Sequence, residues 1–152
     1  MPILRRTSSG DPDFNCLTRL LDQALWKLYP LTNQDYVEHN LIKPGAMAVV
    51  AYAGGEPVGC GCFRETGTEG TVEIKRMYVV DRMRRRGIAR AVLGELESWA
   101  SSLGWRRAVL ETGVDQPEAI ALYTKAGYVR IANYGPYVGM SESVCMGKEL
   151  KG

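Results

Sequence analysis

Apolar residues at Leu17, Leu20, Leu21, Ala24 and Leu28 recur at spacings of three and four and stop at Pro30, a period that predicts an amphipathic helix. Thr32 with Asp35 three residues on resembles a capping arrangement, which predicts a second short helix through Tyr36, Val37 and Leu41, ended by Pro44 and Gly45. Residues 1–10 carry no period and contain Pro2, Ser8, Ser9 and Gly10, so they read as a frayed start or an edge strand. The pattern then changes. Residues 46–53 are almost continuously apolar, Gly54 and Gly55 supply a turn that tolerates positive φ, and residues 56–64 form the partner strand of a hairpin. After a second turn at Thr66, Gly67 and Gly70, residues 71–80 predict another strand. Its apolar positions run two apart from Val72 to Ile74 but three apart from Ile74 to Met77, which places a bulge near Lys75 or Arg76.

In the second half, Ile88, Val92, Leu96, Trp99 and Leu103 mark one helical face that Gly104 ends. Residues 108–112 predict a short strand, and Pro117 opens a helix carrying Ala119, Leu122, Tyr123 and Ala126 up to Gly127. Two final strands, 128–132 and 143–148, flank a loop with Gly135, Pro136 and Gly139. Two helices, three strands, then alternating helix and strand argue for an α/β layer structure with a mixed sheet.

Composition narrows the functional classes. The chain has 152 residues, with 19 Lys and Arg against 17 Asp and Glu, a formal net charge of +2, and hydrophobic and charged fractions of 45% and 24%. That describes one soluble domain, 1–152, able to bury roughly two thirds of its unfolded surface without a metal or disulfide. A globally basic nucleic-acid binder is not expected. Cys16, Cys60, Cys62 and Cys145 include no Cys-x-x-Cys pair, and His39 is the only histidine, so no metal site is expected and buried thiols are the simpler reading. No apolar run approaches the roughly 18 residues of a membrane span, so no membrane partner and a cytoplasmic protein are expected.

The segment with most chemical content is Asp81-Arg82-Met83-Arg84-Arg85-Arg86-Gly87-Ile88-Ala89, between a predicted strand and a predicted helix. The first N–H groups of a helix are unsatisfied donors aligned with its dipole, so such a turn can hold a pyrophosphate with main-chain groups alone. Gly87 permits close approach, and Arg82, Arg84, Arg85 and Arg86 can contact phosphate or draw in an anionic ligand. The same arginines could equally form a solvated turn. Neither a Gly-Lys-Ser/Thr loop nor a three-glycine dinucleotide pattern is present, so triphosphate hydrolysis and hydride transfer lose support and a phosphate-bearing carrier fits better.

With these residues the chain resembles the GNAT acetyltransferase superfamily. Its phosphate-loop signature is Arg or Gln, two residues, Gly, one residue, Gly or Ala, and Arg84-Arg85-Arg86-Gly87-Ile88-Ala89 matches it. Residues 73–80 look like the family's central strand and residues 111–128 like the strand and helix that follow. The resemblance implies a single-domain acyl-CoA N-acyltransferase fold, a strongly twisted mixed sheet flanked by helices, with acetyl-CoA between splayed central strands. Residues 1–45 correspond to a variable helical region on the acceptor side. It further implies that the backbone around Met77, Tyr78 and Val79 bonds the pantetheine and acetyl carbonyl, and that Arg84 to Ala89 enclose the pyrophosphate. Gln116 stands where the family often has Asn, and keeps the amide on a longer stem.

Family chemistry is direct transfer from thioester to amine, which needs a neutral amine. Glu73 matches a strand glutamate that serves as base in some members, directly or through water; paired with Lys75 or Arg76 it would instead be structural. Tyr123 matches the tyrosine that donates to, or orients, the departing sulfur, although its helical face would also let it fill core volume. Cys145 has no histidine with which to support covalent catalysis and reads as a buried strand thiol. Tyr134 and Tyr137, in the loop between the last two strands, are candidate acceptor contacts; Trp26, Tyr29 and Tyr36 could form an opposite wall or simply pack. The expected acceptor is a small-molecule amine such as an amino acid or related metabolite. A protein or peptide amine and a non-catalytic CoA-binding regulator are the alternatives, and a homodimer is left open.

Overall fold

The structure, a computed structural model, describes residues 2–28 and 45–151. Its strands are β1 (Ile3–Ser8), β2 (Met47–Ala53), β3 (Glu56–Glu65), β4 (Thr71–Val79), β5 (Arg107–Gly113), β6 (Val129–Ile131) and β7 (Ser143–Glu149). Its helices are α1 (Pro12–Leu28), α2 (Ile88–Ser102) and α3 (Pro117–Lys125). The strands follow the order β1-β2-β3-β4-β5-β7-β6. The pair β4–β5 is parallel while β1–β2, β2–β3, β5–β7 and β6–β7 are antiparallel, so the sheet is mixed as the element order implied. The helix expected over residues 32–41, with Tyr29, Tyr36 and His39, lies outside the described residues.

Two compact units make up the chain, Met1–Arg64 with Lys75–Leu96, and Glu65–Ile74 with Glu97–Gly152. In the first, β1 is an edge strand paired from Ile3↔Tyr52 to Ser8↔Met47. Gly54 and Gly55 have φ of +59° and +81°, the double positive value that a two-residue turn of the I′ kind requires, and they close the β2–β3 hairpin. Helix α1 begins at Pro12, earlier than its apolar period, because Asp11 caps it: its Oδ1 accepts from the N–H groups of Asp13 (2.8 Å) and Phe14 (3.2 Å). Phe14 and Leu17 then bury against Ala48, Val50, Cys60 and Cys62. Trp26 is 58% exposed and does not pack into that core.

In the second unit, β5 and β7 pair over their full length, from Arg107↔Glu149 to Gly113↔Ser143, and the beginning of β4 runs parallel to β5 from Thr71↔Arg107 to Ile74↔Leu110. Both helix ends here use the same device. Gly104 and Gly127 take φ of +94° and +100°, so the N–H of Trp105 reaches the Ala100 carbonyl and that of Tyr128 reaches the Tyr123 carbonyl. Glu97 joins the helix to the strands of this unit, accepting from the Tyr128 hydroxyl (2.8 Å) and the Lys148 ammonium (2.9 Å).

Candidate active site

In the first unit the site grows out of the second half of β4. The irregularity expected near Lys75 or Arg76 is real: Arg76 has φ of +62°, outside the extended region of a regular strand. Met77, Tyr78 and Val79 follow, and one turn of 3₁₀ helix over Asp81–Met83 reverses the chain. The Arg84 side chain is folded back onto this turn. Its Nε donates to the Val79 carbonyl at 3.0 Å, its Nη1 lies 3.1 Å from Asp81, and its guanidinium stands 5.7 Å from the Tyr78 ring centre. Arg85 and Gly87 adopt φ of +65° and +80°, and α2 starts at Ile88 with its first helical bond from the Ala91 N–H to the Gly87 carbonyl. The N–H groups of Ile88, Ala89 and Arg90 therefore precede the first intrahelical donor. Nothing lies within 4 Å of where a Gly87 side chain would begin, so backbone conformation rather than crowding demands glycine there.

The second unit holds Glu73, Gln116, Tyr123, Tyr134 and Tyr137. Glu73 registers with Val109, and Glu111, two residues on, registers with Cys145; side chains alternate across a sheet, so Glu73, Glu111 and Cys145 share one face. Glu73 is 4% exposed and accepts a 2.7 Å hydrogen bond from the Tyr134 hydroxyl. Arg76 pairs with Asp22 rather than with Glu73. Burial first, and the neighbouring Glu73 carboxylate next, push the Tyr134 phenol far above its ordinary range.

Tyr134 is held in place by its own loop. The Asn133 amide donates to the carbonyls of Tyr137, Met140 and Ser143, and Tyr137, 1% exposed, meets Tyr134 edge to face with ring centres 5.5 Å apart. Tyr123 is also buried, with its ring 5.9 Å from that of Tyr128. Burial and the Glu111 carboxylate raise its phenol well above the normal value. Glu111 and Glu73 act likewise on Cys145, whose thiol is raised mainly by burial although the Tyr134 N–H opposes the shift. Glu111 was not among the residues singled out from sequence; the signal was a charge within the otherwise apolar run Ala108–Thr112. Gln116 is the N-cap residue of α3 and makes no side-chain capping bond. Among the described residues no group of His, Cys, Asp or Glu could hold a metal ion, and no helix is long and apolar enough to cross a membrane.

The model of the acetyltransferase (GNAT) family matches residues 14–128. An IAA acetyltransferase of Azospirillum brasilense is 37% identical over 131 residues, covering 86% of each chain. Among solved structures, a Klebsiella pneumoniae protein assigned as an acyl-CoA N-acyltransferase superposes with a TM-score of 0.81 at 30% identity, covering 99% of both chains. A Bacillus subtilis acetyltransferase solved in complex with CoA shares the fold at a TM-score of 0.71 and 17% identity, over 99% of this chain and 100% of its own. The match over residues 14–128 and the extent of these similarities establish that the chain belongs to the GNAT acetyltransferase family and is an acetyl-CoA-dependent N-acetyltransferase.

Proposed function

We propose that the enzyme acetylates the primary amine of a small molecule, an amino acid or a related metabolite, by direct attack of the amine on the thioester. The turn from Arg84 to Ala89 holds the pyrophosphate through main-chain N–H groups, and the two positive φ values and the helix N-terminus that follows fit a diphosphate. Arg85 and Arg86 draw the anion in, while Met77, Tyr78 and Val79 offer strand-like backbone groups to the pantetheine and Gln116 offers its amide. Acetyl-CoA supplies an activated acetyl group and a thiolate leaving group.

The observation that carries the acceptor assignment is the buried Glu73 carboxylate fixed by Tyr134. An ammonium acceptor needs a nearby anion to attract it and a base to take its proton, and one carboxylate serves both needs. Tyr134 then orients the base, and Tyr137 backs Tyr134. Tyr123 keeps its proton firmly, because burial raises its phenol, so it suits a hydrogen bond to the leaving sulfur better than complete proton release.

A thiol-release assay with acetyl-CoA across amino acids, small amines, peptides and the IAA of the Azospirillum relative's name tests this. Saturable transfer to a small amine is expected, with Glu73→Gln changing the pH–rate profile and Tyr123→Phe lowering kcat. Transfer to peptides alone would make the acceptor a protein; a folded Glu73→Gln variant with a wild-type pH profile would remove its role as base, and a folded Tyr123→Phe variant with wild-type kcat would remove the hydrogen bond to sulfur.

A further inference from the structure

Arg76 is buried, strained and unused by the chemistry above. Its φ of +62° lies in the left-handed region, where glycine or asparagine would sit more easily. The guanidinium is 6% exposed, and its Nη2 donates to the Thr18 carbonyl at 2.9 Å and to Asp22 Oδ1 at 2.8 Å, one turn apart on α1. At its other end the Arg76 carbonyl accepts a hydrogen bond from the Cys60 thiol, 3.4 Å away on β3. The residue is thus held through its side chain by a helix and through its main chain by the neighbouring strand, immediately before Met77.

We propose that Arg76 is a positioning residue. Its clamp on Thr18 and Asp22 holds the left-handed turn of β4 that aims the backbone groups of Met77, Tyr78 and Val79, so that α1 sets how firmly acetyl-CoA is gripped. The inference rests on the reading in which Met77–Val79 bond the pantetheine and acetyl carbonyl. A buried guanidinium paired by charge and by a carbonyl keeps one geometry, whereas glycine at the same φ would leave the turn free to move.

The test uses the full chain and three variants. Arg76→Gly permits the φ but removes the clamp; Asp22→Asn weakens the clamp from a partner whose side chain is 45% exposed; the third combines them. Arg76→Gly is expected to raise KM for acetyl-CoA about tenfold, equivalent to about 1.4 kcal/mol of binding, with acceptor KM unchanged. Asp22→Asn should raise the same parameter less, and the double variant should match Arg76→Gly because both changes remove one interaction. If Arg76→Gly does not fold, Asp22→Asn alone decides the matter by its acetyl-CoA KM.

Amide hydrogen exchange of the wild-type enzyme with and without CoA separates the two ideas. Absence of protection at Met77–Val79 overturns the cofactor reading and the clamp with it. Protection there, together with variants that lose thermal stability but keep the wild-type acetyl-CoA KM, overturns the clamp alone and leaves Arg76 a structural residue.

Discussion

Gly59 on β3 is a position from which one added methyl group should disturb the proposed phosphate turn by pressing on it from a neighbouring strand. A Cβ there would stand 2.8 Å from Ile88 Cγ2 and 3.4 Å from both the Tyr78 carbonyl oxygen and Val79 Cγ2. Carbon atoms pack at about 3.5–4.0 Å, so the closest neighbour must retreat by roughly 1 Å. Ile88 cannot do so by turning its side chain, since it is buried, β-branched and stiff at χ1. The first turn of α2 has to move instead. Overpacking of this kind costs about 1–3 kcal/mol; at about 2 kcal/mol, a domain of this size loses roughly 4–8 °C in Tm. Gly61→Ala is the control. Its Cβ would come even closer, 2.4 Å from Met77 Sδ and 2.9 Å from Leu96 Cδ1, but both atoms lie at or near the ends of flexible side chains. Thermal melts and CoA calorimetry on both variants should show Gly59→Ala to be the more destabilised and to bind CoA more weakly than wild type. Wild-type Tm and CoA affinity in Gly59→Ala, or a larger loss in Gly61→Ala, would refute the reasoning.

Asp11→Ala removes the cap of α1 together with the acceptor of the Arg5 and Thr7 bonds, and should lower stability by about 1–2 kcal/mol in denaturant titration. Burial alone would raise the Asp11 carboxyl, but the N–H groups of Phe14 and Asp13, Thr7 and Arg5 hold it below the usual range; its stabilisation is present above the ordinary value of 3.8 and is lost as pH falls through the lower folded value. Gly87→Ala should weaken CoA binding more than Arg84→Ala, because it opposes a φ of +80° in the turn, whereas the Arg84 side chain is spent on Val79 and Asp81; calorimetry on the two variants gives the ranking. At alkaline pH, Tyr52 is pushed up to about 12 by burial and then by Asp13, and Tyr123, Tyr128 and Tyr134 are raised as well. Folded phenols keep protons that the unfolded chain gives up near 10, so their stabilisation is complete below pH 10 and declines as pH rises above it. Melts should fall as pH rises from 10 to 11, and a tyrosine absorbance titration of the folded enzyme should leave part of the 8 phenols un-ionised near pH 11, where an ordinary phenol has lost about nine-tenths of its protons. A flat Tm with all phenols ionising together would contradict this.

Local signals carried far in this chain. The Gly54-Gly55 hairpin and the Gly104 and Gly127 helix ends were legible because each is fixed by residues within a few positions of itself. The broken alternation between Ile74 and Met77 located the irregularity of β4, since a missing step in a period-two pattern has few other causes. The start of α1 was also written in the sequence, as Asp11 followed by Pro12, but the apolar period alone pointed downstream to Leu17. What stayed illegible was long-range pairing. Arg76 finds Asp22 across 54 positions and Tyr134 finds Glu73 across 61, and no spacing rule connects residues so distant. Glu111 was passed over for the same reason: its influence on Tyr123 and Cys145 comes from strand register and a helix packed in the same unit, not from its neighbours in the chain.

Titration of isotope-labelled protein with CoA, followed through its backbone amide resonances, bears most directly on the phosphate turn. The amides from Arg84 to Ala89 should show the largest saturable shifts, and Gly87→Ala should weaken them more than Arg84→Ala. Saturable CoA binding that leaves those six amides unmoved, or no binding by the folded enzyme, would contradict a pyrophosphate held by the main chain at the start of α2.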